Sequence, residues 1–131
     1  MSRNILAVFF VLHGLVHLLY LGQSAGWWEL QPGLTWPSGS WLLSRFLSDD
    51  TVRLAAGFLC VLAALGFGTA ATGLVLDQAW WRRAVASAAL VSTLLYVFFW
   101  NGQVERLDQQ GAVGILINAA ILVVTLAFRW P

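Results

Sequence analysis

Residues 4–22 read NILAVFFVLHGLVHLLYLG, an apolar run that contains two histidines, His13 and His17. A helix needs about 20 predominantly apolar residues to cross a bilayer, because each residue advances it by only ~1.5 Å. The histidines are four residues apart, so they share one face of such a helix. This stretch therefore predicts a membrane-spanning helix with two polar side chains on one side.

The composition of the whole chain also favours a membrane protein. Hydrophobic residues make up 60% of the 131 residues, charged residues make up 10%, and the mean hydropathy is +0.77. A soluble domain carries about a quarter charged residues. The sequence has no basic run of the kind that binds nucleic acid, so a nucleic-acid partner is not expected. Cys60 is the only cysteine, which excludes an intramolecular disulfide.

Four apolar runs predict four transmembrane helices in a single domain, residues 1–131. The runs are residues 4–22, 52–76, 84–101 and 111–129. In lipid the backbone has to satisfy its own hydrogen bonds, so each run is predicted to be helical. The predicted fold class is all-α: an integral membrane four-helix antiparallel bundle with an outer loop that carries a short interfacial helix.

That outer loop, residues 23–51, is too long for a plain turn and is predicted to lie on the mouth of the bundle like a lid. Its segment SWLLSRFLS, residues 40–48, has apolar side chains around a polar centre and predicts the short interfacial helix, with Ser38 or Ser40 as N-cap. Asp49 or Asp50 is predicted to cap the helix that follows.

Arginine placement predicts the orientation. The side that holds both chain ends and loop 77–83 carries four arginines and one aspartate, whereas the other side carries three arginines and five acids. The positive-inside rule then places both termini in the cytoplasm of a multi-pass inner-membrane protein. Tryptophans are predicted at both interfaces, because indole rings prefer the headgroup level. The inner anchor comprises Trp80, Trp81, Arg82 and Arg83; the outer tryptophans are Trp27, Trp28, Trp36, Trp41 and Trp100.

Each predicted span has a stripe of small or polar residues at helical spacing, as helix contacts in membranes require. On the second span the stripe is Gly57, Cys60, Ala64, Gly68 and Thr72. Counting residues from the span ends places His17, Tyr96 and Asn118 in one outer layer. The same count places His13 near mid-membrane with Ser92 and Cys60. These six residues are the predicted ligand-binding site, and the alternative is a network that only fixes the bundle.

The chemistry of this layer leaves several alternatives open. His13 and His17 could both reach one metal ion, but a zinc site needs three or four ligands and no carboxylate lies inside a span, so no metal is predicted. A haem or a chlorophyll-type pigment would rely on a single histidine or on a partner subunit. Acid–base catalysis by histidine, with Tyr96 and Asn118, on a lipid-soluble substrate is a further alternative.

Two segments resemble a known family. The stretches FVLHGLVHLLYLG, residues 10–22, and RLAAGFLCVLAALGFGTAATGL, residues 53–74, are similar to the first two spans of DoxX-like membrane proteins, in which a His-Gly pair sits in an apolar helix. Two departures stand out: His17 replaces a basic residue that often follows that pair, and Cys60-Val61 replaces a glutamate common in the second span. The resemblance implies a four-span fold and, for some members, a small subunit linked to quinone-dependent sulfur oxidation.

Together, these patterns and the resemblance lead to three expectations of function. The first is a tryptophan-rich accessory or assembly subunit of the inner membrane whose polar outer-half pocket binds a lipid-soluble ligand such as a quinone. The second is a purely structural subunit of a larger membrane complex or of a homo-oligomer. The third is a small isomerase-like membrane enzyme that uses histidine as a base.

Overall fold

The computed structural model describes residues 2–30, 32–34, 36–128 and 130, and every described segment is helix, turn or irregular chain, without strands. Four α-helices follow one another along the chain. They are α1 (Ser2–Ser24), α2 (Asp49–Val75), α3 (Trp81–Phe98) and α4 (Ala112–Leu122), the last continued by a π-helical turn, Val123–Ala127. Arg129, which entered the orientation prediction and ends the predicted fourth span, lies outside the described residues.

Consecutive helices pack side by side and run in opposite directions. α1 packs along α2, α2 along α3, and α3 along α4. The Arg3 guanidinium at the start of α1 forms a 2.7 Å ion pair with Asp77, just beyond the end of α2. Gly73 near the end of α2 meets Trp81 at the start of α3. These contacts fix the antiparallel order.

The lengths and compositions of the helices differ. α1, with 23 residues, and α2, with 27, are long and apolar enough to cross a membrane. α4 is a third if it is counted with the preceding 3-10 segment, Val104–Gln110, from which it is bent by 56°. α3 is not among them, because its 18 residues begin with Trp81-Arg82-Arg83. The all-α architecture is thus confirmed, as is the presence of membrane-spanning candidates.

Several local predictions were wrong. The interfacial helix is only a three-residue 3-10 turn, Leu43–Arg45. The Ser40 hydroxyl accepts the backbone N–H groups of Leu42 and Leu43 at its start, as an N-cap does. α2 is capped by Ser48, whose side chain accepts from the Thr51 N–H, rather than by an aspartate. The segment Val104–Gln110, predicted to be plain loop, forms 3-10 helix.

The interior is filled from α1, α2 and α3, with the largest share from α2. The buried face of α2 includes Cys60, Ala63, Phe67 and Ala70. The predicted small-residue stripe was therefore wrong in its inner half: Thr72 is exposed, and a side chain at Gly68 would contact nothing within 4 Å. The large Phe67 occupies the interior instead, where it packs against Phe10 of α1.

The inner anchor was also partly wrong. Trp80 is 43% exposed, as an interfacial residue should be, but Trp81 is only 4% exposed. Its indole packs against Phe10 in the core and carries the Arg82 guanidinium 4.7 Å above its ring. Arg83 is exposed. Because Trp81 begins α3 on the inward face, packing decides its position rather than the headgroup preference of indole.

Candidate functional site

The two histidines of α1 lie where α1 approaches α2 and α3. His17 is completely buried and His13 is 6% exposed. Gly14 between them permits this approach, because a side-chain carbon there would lie 3.2 Å from both the Ala64 carbonyl oxygen and the Phe67 Cβ. Phe67 in turn lies against both imidazoles, with ring centroids 4.7 Å from His13 and 5.8 Å from His17.

Four side chains from three helices form a ring of hydrogen bonds, which we call the polar ring: His13 and His17 of α1, Ser92 of α3 and Asn118 of α4. The His13 Nε2 lies 3.0 Å from the Asn118 Oδ1, and the Asn118 Nδ2 lies 2.8 Å from the Ser92 Oγ. The Ser92 Oγ lies 2.8 Å from the His17 Nε2. The His17 Nδ1 closes the ring, 2.9 Å from the His13 carbonyl oxygen.

The donor and acceptor roles in this ring follow from one fixed end. A carbonyl oxygen can only accept, so the His17 Nδ1 carries a proton and, in neutral imidazole, its Nε2 accepts from the Ser92 hydroxyl. Ser92 then accepts from the Asn118 amide, and the Asn118 oxygen accepts from the His13 Nε2–H. Neutral imidazoles suit this site, because an unpaired charge is costly in an apolar interior.

Thr93 extends the ring and was not predicted. The second Asn118 N–H donates to the Thr93 Oγ1 over 3.2 Å, and the Thr93 hydroxyl donates to the Ala89 carbonyl over 2.8 Å. Helical spacing from Ser92 points to positions 88 and 96, so the neighbouring Thr93 falls outside that stripe. The only usable signal was the adjacent Ser-Thr pair, with two hydroxyls in one apolar helix.

Tyr96 borders the ring. Its hydroxyl lies 3.5 Å from the His17 Nε2, a long contact, and the two rings are 5.7 Å apart. α4 comes close to the aromatic ring of Tyr96 at Gly114, where a side-chain carbon would lie 2.3 Å from the Tyr96 Cε2. Tyr96 is 2% exposed, so it fills the space between α3 and α4.

The structure thus brings together five of the six predicted ligand-binding residues, but with different partners. Asn118 pairs with His13 and Ser92 with His17, whereas the depth estimate paired Asn118 with His17 and Ser92 with His13. A count along parallel axes ignores helix tilt, and this is why it misassigned the partners. The sixth residue, Cys60, is fully buried in an apolar cluster with Leu95, Tyr96 and Phe99.

Trp36 covers the outer side of this region, a role the sequence did not suggest. It was predicted at the headgroup level but is only 2% exposed. Its indole N–H donates to the Phe99 carbonyl over 2.8 Å, and its ring lies 4.9 Å from Tyr20 and 5.4 Å from Tyr96. The Gln23 amide donates to the Trp36 carbonyl over 2.9 Å and holds the loop in place.

The loop also satisfies the carbonyls at the end of α3, which have no partner within the helix. The Trp41 indole N–H donates to the Val97 carbonyl over 2.9 Å, and the Trp41 backbone N–H donates to the Trp100 carbonyl over 2.7 Å. The Ser40 hydroxyl donates to the Phe98 carbonyl. α3 therefore ends at Phe98 rather than at residue 101, because the loop supplies donors there. The lid is bonded to the bundle at several points.

Four surface grooves among the described residues have no residue of the polar ring in their lining. Those grooves run along the boundaries of α1 with α2, with α4 and with the loop, and other side chains line them. A quinone or a haem bound to the ring would have to replace a hydrogen bond that the ring already makes. Among the residues described, no three His, Cys, Asp or Glu side chains come together as metal ligands do.

Comparison with protein-family models, curated proteins and solved structures finds no match for this chain.

Proposed function

We propose that this chain is a four-span inner-membrane protein that acts as an accessory or assembly subunit of a larger membrane complex. One observation carries this proposal: the polar groups of the ring form hydrogen bonds with one another across three helices. Interhelical hydrogen bonds of this kind hold membrane bundles together. A site that turned over a substrate would need a free donor or acceptor and an adjacent cavity.

The helices and their ends support this membrane placement. α1 and α2 have the length to span, and the last helix does so if it is counted with its bent neighbour. α3 joins them as a fourth span through its tight contacts with α2, with its first-turn arginines at the inner headgroups. In this orientation both termini face the cytoplasm, as the arginine distribution favours. Membership of the DoxX-like family belongs to the same proposal.

Cysteine labelling tests the membrane placement. Cys60→Ala supplies a cysteine-free background, into which Gln78→Cys and Gln103→Cys place exposed thiols in the loops at opposite ends of α3. A membrane-impermeant maleimide added to intact cells should label residue 103 and should label residue 78 only after permeabilisation. Equal labelling of both before permeabilisation would contradict the proposed topology.

Native mass spectrometry of gently solubilised membranes tests the subunit role. We expect the chain to stay bound to another membrane protein at a fixed ratio. Trp27 is 69% exposed, and tryptophan is enriched in protein–protein interfaces, so this side chain offers a contact surface for a partner. Trp27→Ser should weaken retention of the partner without changing the fold, whereas the matched Phe46→Ser in the 3-10 turn region should not. A lone particle at every detergent concentration would contradict the proposal.

The binding of a lipid-soluble ligand such as a quinone is a second candidate function. A groove of about 240 Å³ between α1 and α4 favours it, since its apolar lining includes Phe9, Phe10 and Ile121. Phe9 also lies parallel to the His13 imidazole, with ring centroids 6.1 Å apart. A ring-shaped ligand in this groove would contact Phe9, which stacks on His13, and would reach the His13–Asn118 hydrogen bond only after Phe9 moved aside. It could then exchange that bond for one to its own carbonyl.

Titration with decylubiquinone, together with an absorption spectrum of the purified protein, tests this second function. His17→Ala should weaken quinone binding more than it lowers bundle stability, because loss of its bond to Ser92 loosens the ring around Asn118. Equal losses of quinone binding and bundle stability, or no quinone binding by the wild type, would rule out this second function. A Soret or chlorin band would instead identify a haem or a pigment.

A further inference from the structure

The outer halves of α1 and α2 enclose a groove of about 500 Å³ that the polar ring does not use. Its walls are largely apolar: Leu21 of α1 and Ala25, just beyond the end of α1, face Leu54, Phe58 and Val61 of α2. Gly57 keeps the two helices close, because a side-chain carbon there would lie 3.0 Å from the Leu21 Cδ1. The shape and lining suit a single hydrocarbon chain that lies along the two helices.

Two opposite charges stand at the outer rim of this groove. Asp50 and Arg53 both line it and both are exposed. They are three positions apart, so they lie about one turn apart on the same face of α2. The one ion pair found among the described residues is that of Arg3 with Asp77, so Asp50 and Arg53 do not neutralise each other directly. Each is available to a charge on a ligand.

We propose that this groove binds one zwitterionic aminophospholipid, of the phosphatidylethanolamine type, from the outer leaflet. Arg53 binds the phosphate, since a guanidinium matches its paired oxygens. Asp50, one turn closer to the surface, accepts from the ammonium group. An acyl chain lies on Phe58 and Val61. A lipid with an uncharged glycerol headgroup would match Arg53 but would leave Asp50 facing a negative phosphate, so the pair selects for the amine.

This inference rests on the proposed membrane placement, so the experiment measures insertion first. The full chain is reconstituted into vesicles and floated on a density gradient. The same samples are then extracted with equimolar phosphatidylethanolamine and phosphatidylglycerol of identical acyl chains, and bound lipid is counted by native mass spectrometry. The wild type should retain one phosphatidylethanolamine, about three- to fivefold in preference to phosphatidylglycerol, the scale of one exposed charge contact.

The variants separate the two charge contacts. Arg53→Gln should lower retention of both lipids about three- to fivefold, because both carry the phosphate. Asp50→Asn should bring the preference close to one without reducing phosphatidylglycerol. Arg45→Gln removes another exposed arginine, from the 3-10 turn outside the groove, and should change nothing.

Any of four outcomes would overturn the inference. Protein that fails to float would overturn both the membrane proposal and the lipid site. Protein that floats but retains both lipids equally, or whose Arg53→Gln variant binds as the wild type does, would overturn the lipid site alone. Retention of a second copy of the chain in place of lipid, lost in Arg53→Gln, would assign the groove to protein contact.

Discussion

The Nε2 of His13 on the first helix lies 3.0 Å from the Oδ1 of Asn118 on the last helix. α1 packs mainly on α2 and α4 mainly on α3, so this bond joins the two ends of the helix series. Apolar contacts in a bilayer give little preference for one rotation of a helix over another, because lipid is as apolar as the side chains. A hydrogen bond is directional, and it fixes which faces of α1 and α4 meet.

Replacing Asn118 should destabilise the bundle. Asn118→Leu keeps the approximate size of the side chain but removes partners from His13, Ser92 and Thr93. A single hydrogen bond between membrane helices contributes about 0.6–1.7 kcal/mol. Because several bonds are lost here, we expect the free energy of unfolding to fall by about 2 kcal/mol. Denaturation in mixed micelles with increasing dodecyl sulfate measures it. Ser87→Ala, which changes an exposed serine on α3 outside the polar ring, is the control and should be neutral.

The glycines of α2 and α4 should respond in opposite directions to the same substitution. Gly114→Ala would place its Cβ 2.3 Å from the Tyr96 ring, which is enclosed and cannot move aside. We therefore expect overpacking to lower the free energy of unfolding by about 1–3 kcal/mol. Gly68→Ala would contact nothing within 4 Å and should be neutral or stabilising by up to about 1 kcal/mol through helix propensity. The same micelle denaturation compares them. Equal effects of the two alanines would contradict the close approach of α4 to Tyr96.

Loss of the buried indole should loosen the lid. Trp36→Phe keeps an aromatic ring but leaves the Phe99 carbonyl without its donor, at an expected cost of about 1–3 kcal/mol. Limited proteolysis at Arg45 by trypsin should become faster, since the loop that carries it is held by these bonds. Trp27→Phe changes a residue that is 69% exposed and should leave the cleavage rate unchanged. A protected Arg45 in Trp36→Phe would show that the lid does not depend on this bond.

The sequence predicted the helices better than the contacts between them. Apolar length and helical spacing located α1 and α2 closely and identified His13, His17, Ser92 and Asn118 as inward-facing residues. Their pairing could not be predicted, because it depends on helix tilt and rotation, which no residue count contains. Trp36 and Trp81 were misplaced for a related reason: indole suits both the headgroup level and a buried site with a partner, and only tertiary packing decides between them.

The polar ring should behave as one unit in a double-mutant cycle. Ser92 both accepts from Asn118 and donates to His17, so Ser92→Ala and Asn118→Leu remove bonds that they share. Their destabilisations should therefore fall short of additivity by at least about 0.5 kcal/mol, as expected for contacting residues. Arg3→Gln breaks a bond to the Leu74 carbonyl and the ion pair with Asp77 near the inner end of the bundle. The destabilisations caused by Arg3→Gln and Ser92→Ala should add to within about 0.5 kcal/mol in the double variant, because the two sites share no partner. Strict additivity of Ser92→Ala with Asn118→Leu would mean that the ring consists of independent bonds.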